Sequence, residues 1–146
     1  MSDLDRVAHN LFVGKAPPCG GLVGWPLDTV VLTAMEYQPP SSCFPGMEVL
    51  RANLDDSGAP ILEREVREAL TVGAKVSRRL RRGKAVLVTC AQGRNRSGMV
   101  AAIALVMAGA DANEAITRIR KARGPMALSN PAFVRVVQAV ALQKTA

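Results

Sequence analysis

An α/β fold in one domain, with a mostly parallel sheet flanked by helices, is what this sequence predicts. Three observations lead there. Two short runs, Thr29 to Ala34 and Ala85 to Thr89, have the apolar, β-branched composition of strands buried on both faces. Longer stretches between and after them place apolar residues at helical spacing, from Ile61 to Leu80 and from Met99 onward. The chain has 146 residues, enough for a real core, and shows no repeat, low-complexity tract or linker that would divide it.

In order, His9 to Gly14 reads as a first short strand closed by glycine. Lys15 to Asp28 carries three prolines and three glycines and is expected to be irregular. Thr29 to Ala34 is the next strand, and Glu36 to Gly46, with Pro39, Pro40 and Pro45, is again loop. Met47 to Leu54 reads as a third strand and delivers the chain to the turn cluster Asp55-Asp56-Ser57-Gly58-Ala59-Pro60. Proline suits a first helical position, so a helix is expected from Pro60, with Ile61, Leu62, Val66, Ala69, Leu70, Val76 and Leu80 inward. Gly83 supplies its left-handed cap. After the central strand at Ala85 to Thr89 comes a tight polar loop, then a helix from Ser97 to Ala108 that is apolar nearly all round and hence buried. Asp111-Ala-Asn-Glu114 resembles a capping box for a helix to about Arg123, and Ser129-Asn130-Pro131 opens a last one.

Composition narrows the functional classes. Apolar residues at 49% and charged ones at 21% describe a globular chain. Only 3% are aromatic, which argues against nucleic-acid binding on stacking platforms. A net charge of +7 favours anionic partners, and its densest part, Arg78 to Lys84, reads as a solvated helix end whose cations suit the dipole. No basic flank and apolar run mark a secretory signal at the amino terminus, and Met99 to Ala108 is about half of what a membrane span requires. Cys19, Cys43 and Cys90 lack metal-ligand spacing, so no metal is expected, and a reducing cytoplasm is the simplest setting for them.

The chemistry concentrates in Cys90-Ala-Gln-Gly93-Arg-Asn-Arg96-Ser97. This loop joins the carboxyl end of the central strand to a helix start, where open α/β sheets place their ligands. Successive N–H groups and the positive end of a helix dipole converge on such a loop, so it suits an anion. The same surroundings favour a thiolate at Cys90. Arg96 has the planar fork that grips two phosphate oxygens, and Gly93 permits a sharp turn. Ser97 is either a plain helix cap or a hydroxyl within reach of the sulfur. Arg94 and Asn95 are expected to shape the rim, and Gln92 to position water at most. The order is cysteine to arginine, with no Gly-Lys-Ser/Thr, so this is not a nucleotide P-loop.

Cys90-Ala-Gln-Gly93-Arg-Asn-Arg96-Ser97 resembles the signature loop of the cysteine-dependent protein tyrosine phosphatase superfamily. The resemblance is strongest to the dual-specificity branch, whose loop reads His-Cys-x-x-Gly-x-x-Arg-Ser/Thr. Asn10 to Gly14, Ala112 to Arg123 and Ser129 to Phe133 are similar to that family's opening strand, late helix and final helix start, so nearly the whole chain is covered. The resemblance implies a phosphatase acting through a phosphocysteine. Cys90 would be the nucleophile, Arg96 and the loop Ala91, Gln92, Gly93, Arg94 and Asn95 the phosphate cradle, and Ser97 a donor to the departing sulfur. A general acid is also implied. Asp56-Ser-Gly-Ala-Pro60 is similar to the Asp-x-Gly-x-Pro loop of other members, which makes Asp56 the first candidate and Asp55 the alternative, or a cap of the following helix. No cofactor is implied. One position departs from the pattern: Thr89 stands where the family has histidine, which implies a less activated thiol and slower turnover. The only histidine, His9, reads as structural, and Arg123 as a helix-end cation.

The expected activity is therefore hydrolysis of a phosphoprotein, on tyrosine and also on serine or threonine if the cleft is shallow. The rivals are a pseudophosphatase that keeps only the anion cradle, and a phosphatase of phosphoinositides or RNA 5′ phosphates.

Overall fold

The computed structural model describes residues 3–145. Five strands form one sheet in the order β1-β2-β5-β3-β4: β1 (Leu4–Ala8), β2 (Leu11–Lys15), β3 (Thr29–Ala34), β4 (Glu48–Leu54) and β5 (Val86–Cys90). Every neighbouring pair is parallel except β1–β2, an antiparallel hairpin at the edge. The expected first strand is thus the second arm of a hairpin. Its partner β1, Leu-Asp-Arg-Val-Ala, buries only Val7 and carries too little apolar signal to be seen in the sequence. Four helices follow β4 and β5: α1 (Glu63–Arg81), α2 (Arg96–Met107), α3 (Ala112–Arg123) and α4 (Pro131–Thr145).

Alternation along the strands builds two cores. Val13, Val31, Val86 and Val88 join the core shared with all four helices, and α2, buried from Arg96 to Val106, runs through its centre. Phe12, Val30, Leu32 and Leu87 point to the opposite face. That face is covered by the two proline-rich segments, not by helices. Leu22, Leu27, Phe44 and Met47 seal it, with a disulfide between Cys19 and Cys43 joining the two segments. These two cysteines therefore depart from the expectation of reduced thiols, and Cys90 is the free cysteine among the described residues.

Helix α1 starts at Glu63, three residues later than Pro60, and Leu62 is exposed instead of facing the core. The buried Glu65 explains the delay. Its carboxylate accepts from the Leu62 N–H and from the Asp55 N–H, satisfying one free donor of the first turn and tying the preceding loop to the helix. Gly83 closes α1 at φ +76°, as expected of a left-handed cap.

Parallel strands leave one edge of the sheet where every carboxyl end emerges. The segments after β2, β3, β4 and β5 all depart there, so residues remote in sequence meet beside Cys90. His9, exposed in the β1–β2 turn, lies at the other end, since Leu11 pairs with Val86 and Lys15 with Cys90.

Candidate active site

Cys90 closes β5 and α2 begins at Arg96, so five residues make the whole turn. Gly93 makes that turn possible. Its φ is +67°, and a Cβ there would lie 2.4 Å from the Gly14 carbonyl carbon and 2.8 Å from an Arg123 nitrogen. No side chain fits, so the back of the loop rests directly on β2.

Arg123 is the strut beneath. It is buried, with Nε donating to the Gly93 carbonyl at 3.0 Å, Nη2 to the Gln92 carbonyl at 3.1 Å, and Nη1 to Asp5 at 2.7 Å. The expectation of a solvated helix-end cation fails here. Buried carbonyls need donors, and a guanidinium supplies several in one plane. Thr89 takes no part in this support. Its hydroxyl donates to the Val31 carbonyl at 2.9 Å and so latches β5 to β3 within the sheet.

The Cys90 sulfur is buried at 3% exposure and lies 3.1 Å from the Ser97 hydroxyl. Ser97 is fully buried inside α2, whose cap position is Asn95, so the capping role weighed for Ser97 does not apply. A hydroxyl at this place can donate to sulfur.

Arg96 is the most constrained side chain of the site. Nη1 donates to Glu36 Oε1 at 2.5 Å and to the Leu54 carbonyl at 3.1 Å, and Nη2 donates to Glu36 Oε2 at 2.8 Å. Nη1 is thereby saturated, while the buried Nε–H has no protein partner. Together with the second Nη2–H, it forms an unpaired edge with the spacing of two anion oxygens. Burial works against the guanidinium charge, but the Glu36 hydrogen bond and the neighbouring Cys90, Glu36 and Asp56 hold its pKa above the ordinary arginine value.

Glu36 was invisible as a site residue in the sequence. It immediately follows β3, the strand beside β5, so strand order alone puts it next to the loop. Gln38 fixes this corner by donating to the Leu32 and Ala34 carbonyls, and Tyr37 by donating to the Pro17 carbonyl at 2.6 Å. The hydrogen bond to Arg96 lowers the Glu36 pKa, against a smaller opposing effect of burial.

Of the paired aspartates, Asp56 lies in the pocket and Asp55 does not. Asp55 turns back to accept from the Ser57 N–H and hydroxyl, a local turn that caps no helix. Asp56 lines the pocket with Cys90, Ala91, Gln92, Arg94, Asn95, Arg96, Met126 and Ser129. The volume is about 160 Å³, well below the roughly 300–1,000 Å³ of drug-sized ligand sites. Such a pocket takes a small anionic head and leaves the rest of a ligand outside. Among the described residues, no group of histidine, cysteine or carboxylate side chains is arranged to hold a metal. Among the described residues, no helix is long and apolar enough to cross a membrane.

Comparison with known proteins agrees with this geometry. The tyrosine phosphatase family model matches residues 50–118, from within β4 to within α3. No curated protein sequence matches the chain significantly. Among solved structures, human DUSP28 is similar over 100% of this chain and 97% of its own, at 28% identity and a TM-score of 0.83. A mouse putative dual specificity phosphatase, complexed with zinc tungstate, covers 97% of this chain and 87% of its own, with 26% identity and a TM-score of 0.79. Tk-PTP, in its active form, covers 97% of both chains at 25% identity and a TM-score of 0.79. Fold, loop and similar structures are consistent with the cysteine-dependent protein tyrosine phosphatase superfamily, dual specificity phosphatases among them.

Proposed function

We propose that this protein hydrolyses phosphomonoesters on proteins, phosphotyrosine first and phosphoserine or phosphothreonine with it, through a phosphocysteine at Cys90. The observation that carries the reading is the unpaired Nε and Nη2 edge of buried Arg96 beside a buried thiol, in a pocket of phosphate size. Cys90 Sγ attacks phosphorus as the bond to the leaving oxygen breaks, and Asp56 gives that oxygen its proton. Water then attacks the phosphocysteine and yields its proton to Asp56, while the Ser97 hydroxyl donates to the departing sulfur. Arg96 and the N–H groups of residues 91–96 hold the peripheral oxygens throughout, the electrostatic help that phosphoryl transfer chiefly needs. No step calls for a cofactor. The mouse relative's complex with zinc tungstate, a tetrahedral oxyanion, agrees with this chemistry.

The reading is tested with matched phosphopeptides, a phosphoinositide and a 5′-phosphorylated RNA. Preferred release of phosphate from the phosphotyrosine peptide supports it. Preference for the lipid or RNA transfers the chemistry to that substrate, and phosphate binding without turnover leaves only the anion cradle.

Asp56→Ala is expected to slow phenyl phosphate about a hundredfold and a more acidic aryl phosphate far less, because only the poor leaving group needs the proton. A loss independent of leaving group would remove the acid role from Asp56. Glu36→Gln is expected to lower kcat/KM about tenfold by releasing one side of Arg96. The sign of its pH dependence follows from the lowered Glu36 pKa. The ion pair contributes fully above the ordinary carboxylate range and is lost only as pH falls through the lower folded value. Wild type and variant should therefore differ in thermal stability at neutral pH and converge in strong acid, which melting curves across pH would show.

A further inference from the structure

We propose that Asn95 and Asn130 form an amide clamp that holds Asp56 in place as the proton donor before substrate arrives. This rests on the phosphatase reading above and adds two positioning residues to it. Asn95 Nδ2 donates to Asp56 Oδ2 at 3.1 Å, and Asn130 Nδ2 donates to Asp56 Oδ1 at 3.0 Å. The three residues come from the signature loop, the start of α4 and the turn after β4, so the contacts span 39 and 74 positions of sequence.

Both amides are held in the orientation that this requires. Asn95 Oδ1 accepts from the Asn130 N–H at 3.1 Å, and Asn130 Oδ1 accepts from the Ala132 N–H at 3.0 Å. With each oxygen end facing a backbone donor, each NH₂ end is left for the carboxyl group.

The chemistry of the clamp suits a group that must alternate between acid and base. A carboxyl oxygen has two acceptor positions, and each amide takes one, so a proton has a place on either oxygen without displacing a contact. The donors are neutral and keep their hydrogens at every working pH. Because Asn95 belongs to the loop between Cys90 and Arg96, the acid is fixed to the same body as the nucleophile.

Asn130→Ser separates positioning from folding. Serine keeps an acceptor for the Ala132 N–H, and with it the start of α4, but is too short to donate to Asp56 and adds no charge beside it. With an unchanged melting curve, kcat/KM for phenyl phosphate should fall about ten- to a hundredfold, and that for a fluorinated coumarin phosphate about twofold or less. In an Asp56→Asn background the same change should add no further loss. An equal loss on both substrates, or a fully additive one, would overturn the clamp. A readout free of turnover comes from the side-chain amide signals of Asn95 and Asn130 in ¹⁵N–¹H spectra. Both should move in Asp56→Ala, and unmoved signals would also overturn the proposal. Signals that move in an enzyme without Cys90-dependent turnover would count against the phosphatase reading and not against the clamp.

Discussion

Cys90→Ser is expected to bring aryl phosphate hydrolysis to background, a loss of roughly a hundred-thousandfold, with inorganic phosphate still bound. The sulfur is buried against the Ser97 hydroxyl at 3.1 Å and belongs to a pocket that Arg94 and Arg96 also line. A cysteine sulfur is intrinsically the stronger nucleophile, whereas a serine hydroxyl here has no base beside it. Asp56 cannot serve, because its carboxyl is needed in the acid form for the first step. The fold should tolerate the change, since serine is smaller and keeps a hydrogen-bonding partner for Ser97. Steady-state kinetics and calorimetric phosphate binding on both proteins check it. Equal, low activity in wild type and variant, with phosphate bound by both, would point to a pseudophosphatase.

Arg96→Lys should cost about a thousandfold in kcat/KM and weaken phosphate binding as well. A lysine has one nitrogen at the tip. It cannot satisfy both Glu36 oxygens, the Leu54 carbonyl and two oxygens of an anion at once, as the guanidinium can. The Leu54 carbonyl retains a donor in the Met35 N–H, so the fold loses less than the site does. Kinetics beside a melting curve would separate the two. Near-normal kcat/KM in the lysine variant would show that charge alone suffices and that the bidentate edge is idle.

Much of this site could be read from the sequence, because the signature loop is local. Cys90, Gly93, Arg96 and Ser97 lie within eight residues, and the turn fixes their mutual geometry. The parallel sheet was legible for a similar reason. β3 and β5 are buried along their whole length, and such runs have few other uses. What stayed hidden depends on strand order. Glu36 is exposed and follows a strand that reveals its neighbour only in three dimensions. Arg123 ends a helix, where a cation is ordinarily solvated, and the packing of α3 against β1 takes it inside. The proline-rich segments looked like surface excursions because they lack periodicity. Their few apolar residues, Leu22, Leu27, Phe44 and Met47, nonetheless cover one face of the sheet.

Thr89 now has a clearer place. The loop that follows it is held from beneath by Arg123 and by the close approach of Gly93 to β2. Threonine is then free to join β5 to β3.

The covalent intermediate is the central claim, and it can be trapped. Ser97→Ala removes the donor that helps the sulfur leave, so phosphocysteine should accumulate when the variant is mixed with an aryl phosphate and quenched in acid. Mass spectrometry of the peptide containing Cys90 is predicted to show the added mass of one phosphoryl group on that residue, absent from Cys90→Ser. Rapid turnover with an unmodified Cys90 peptide at every quench time would contradict the account.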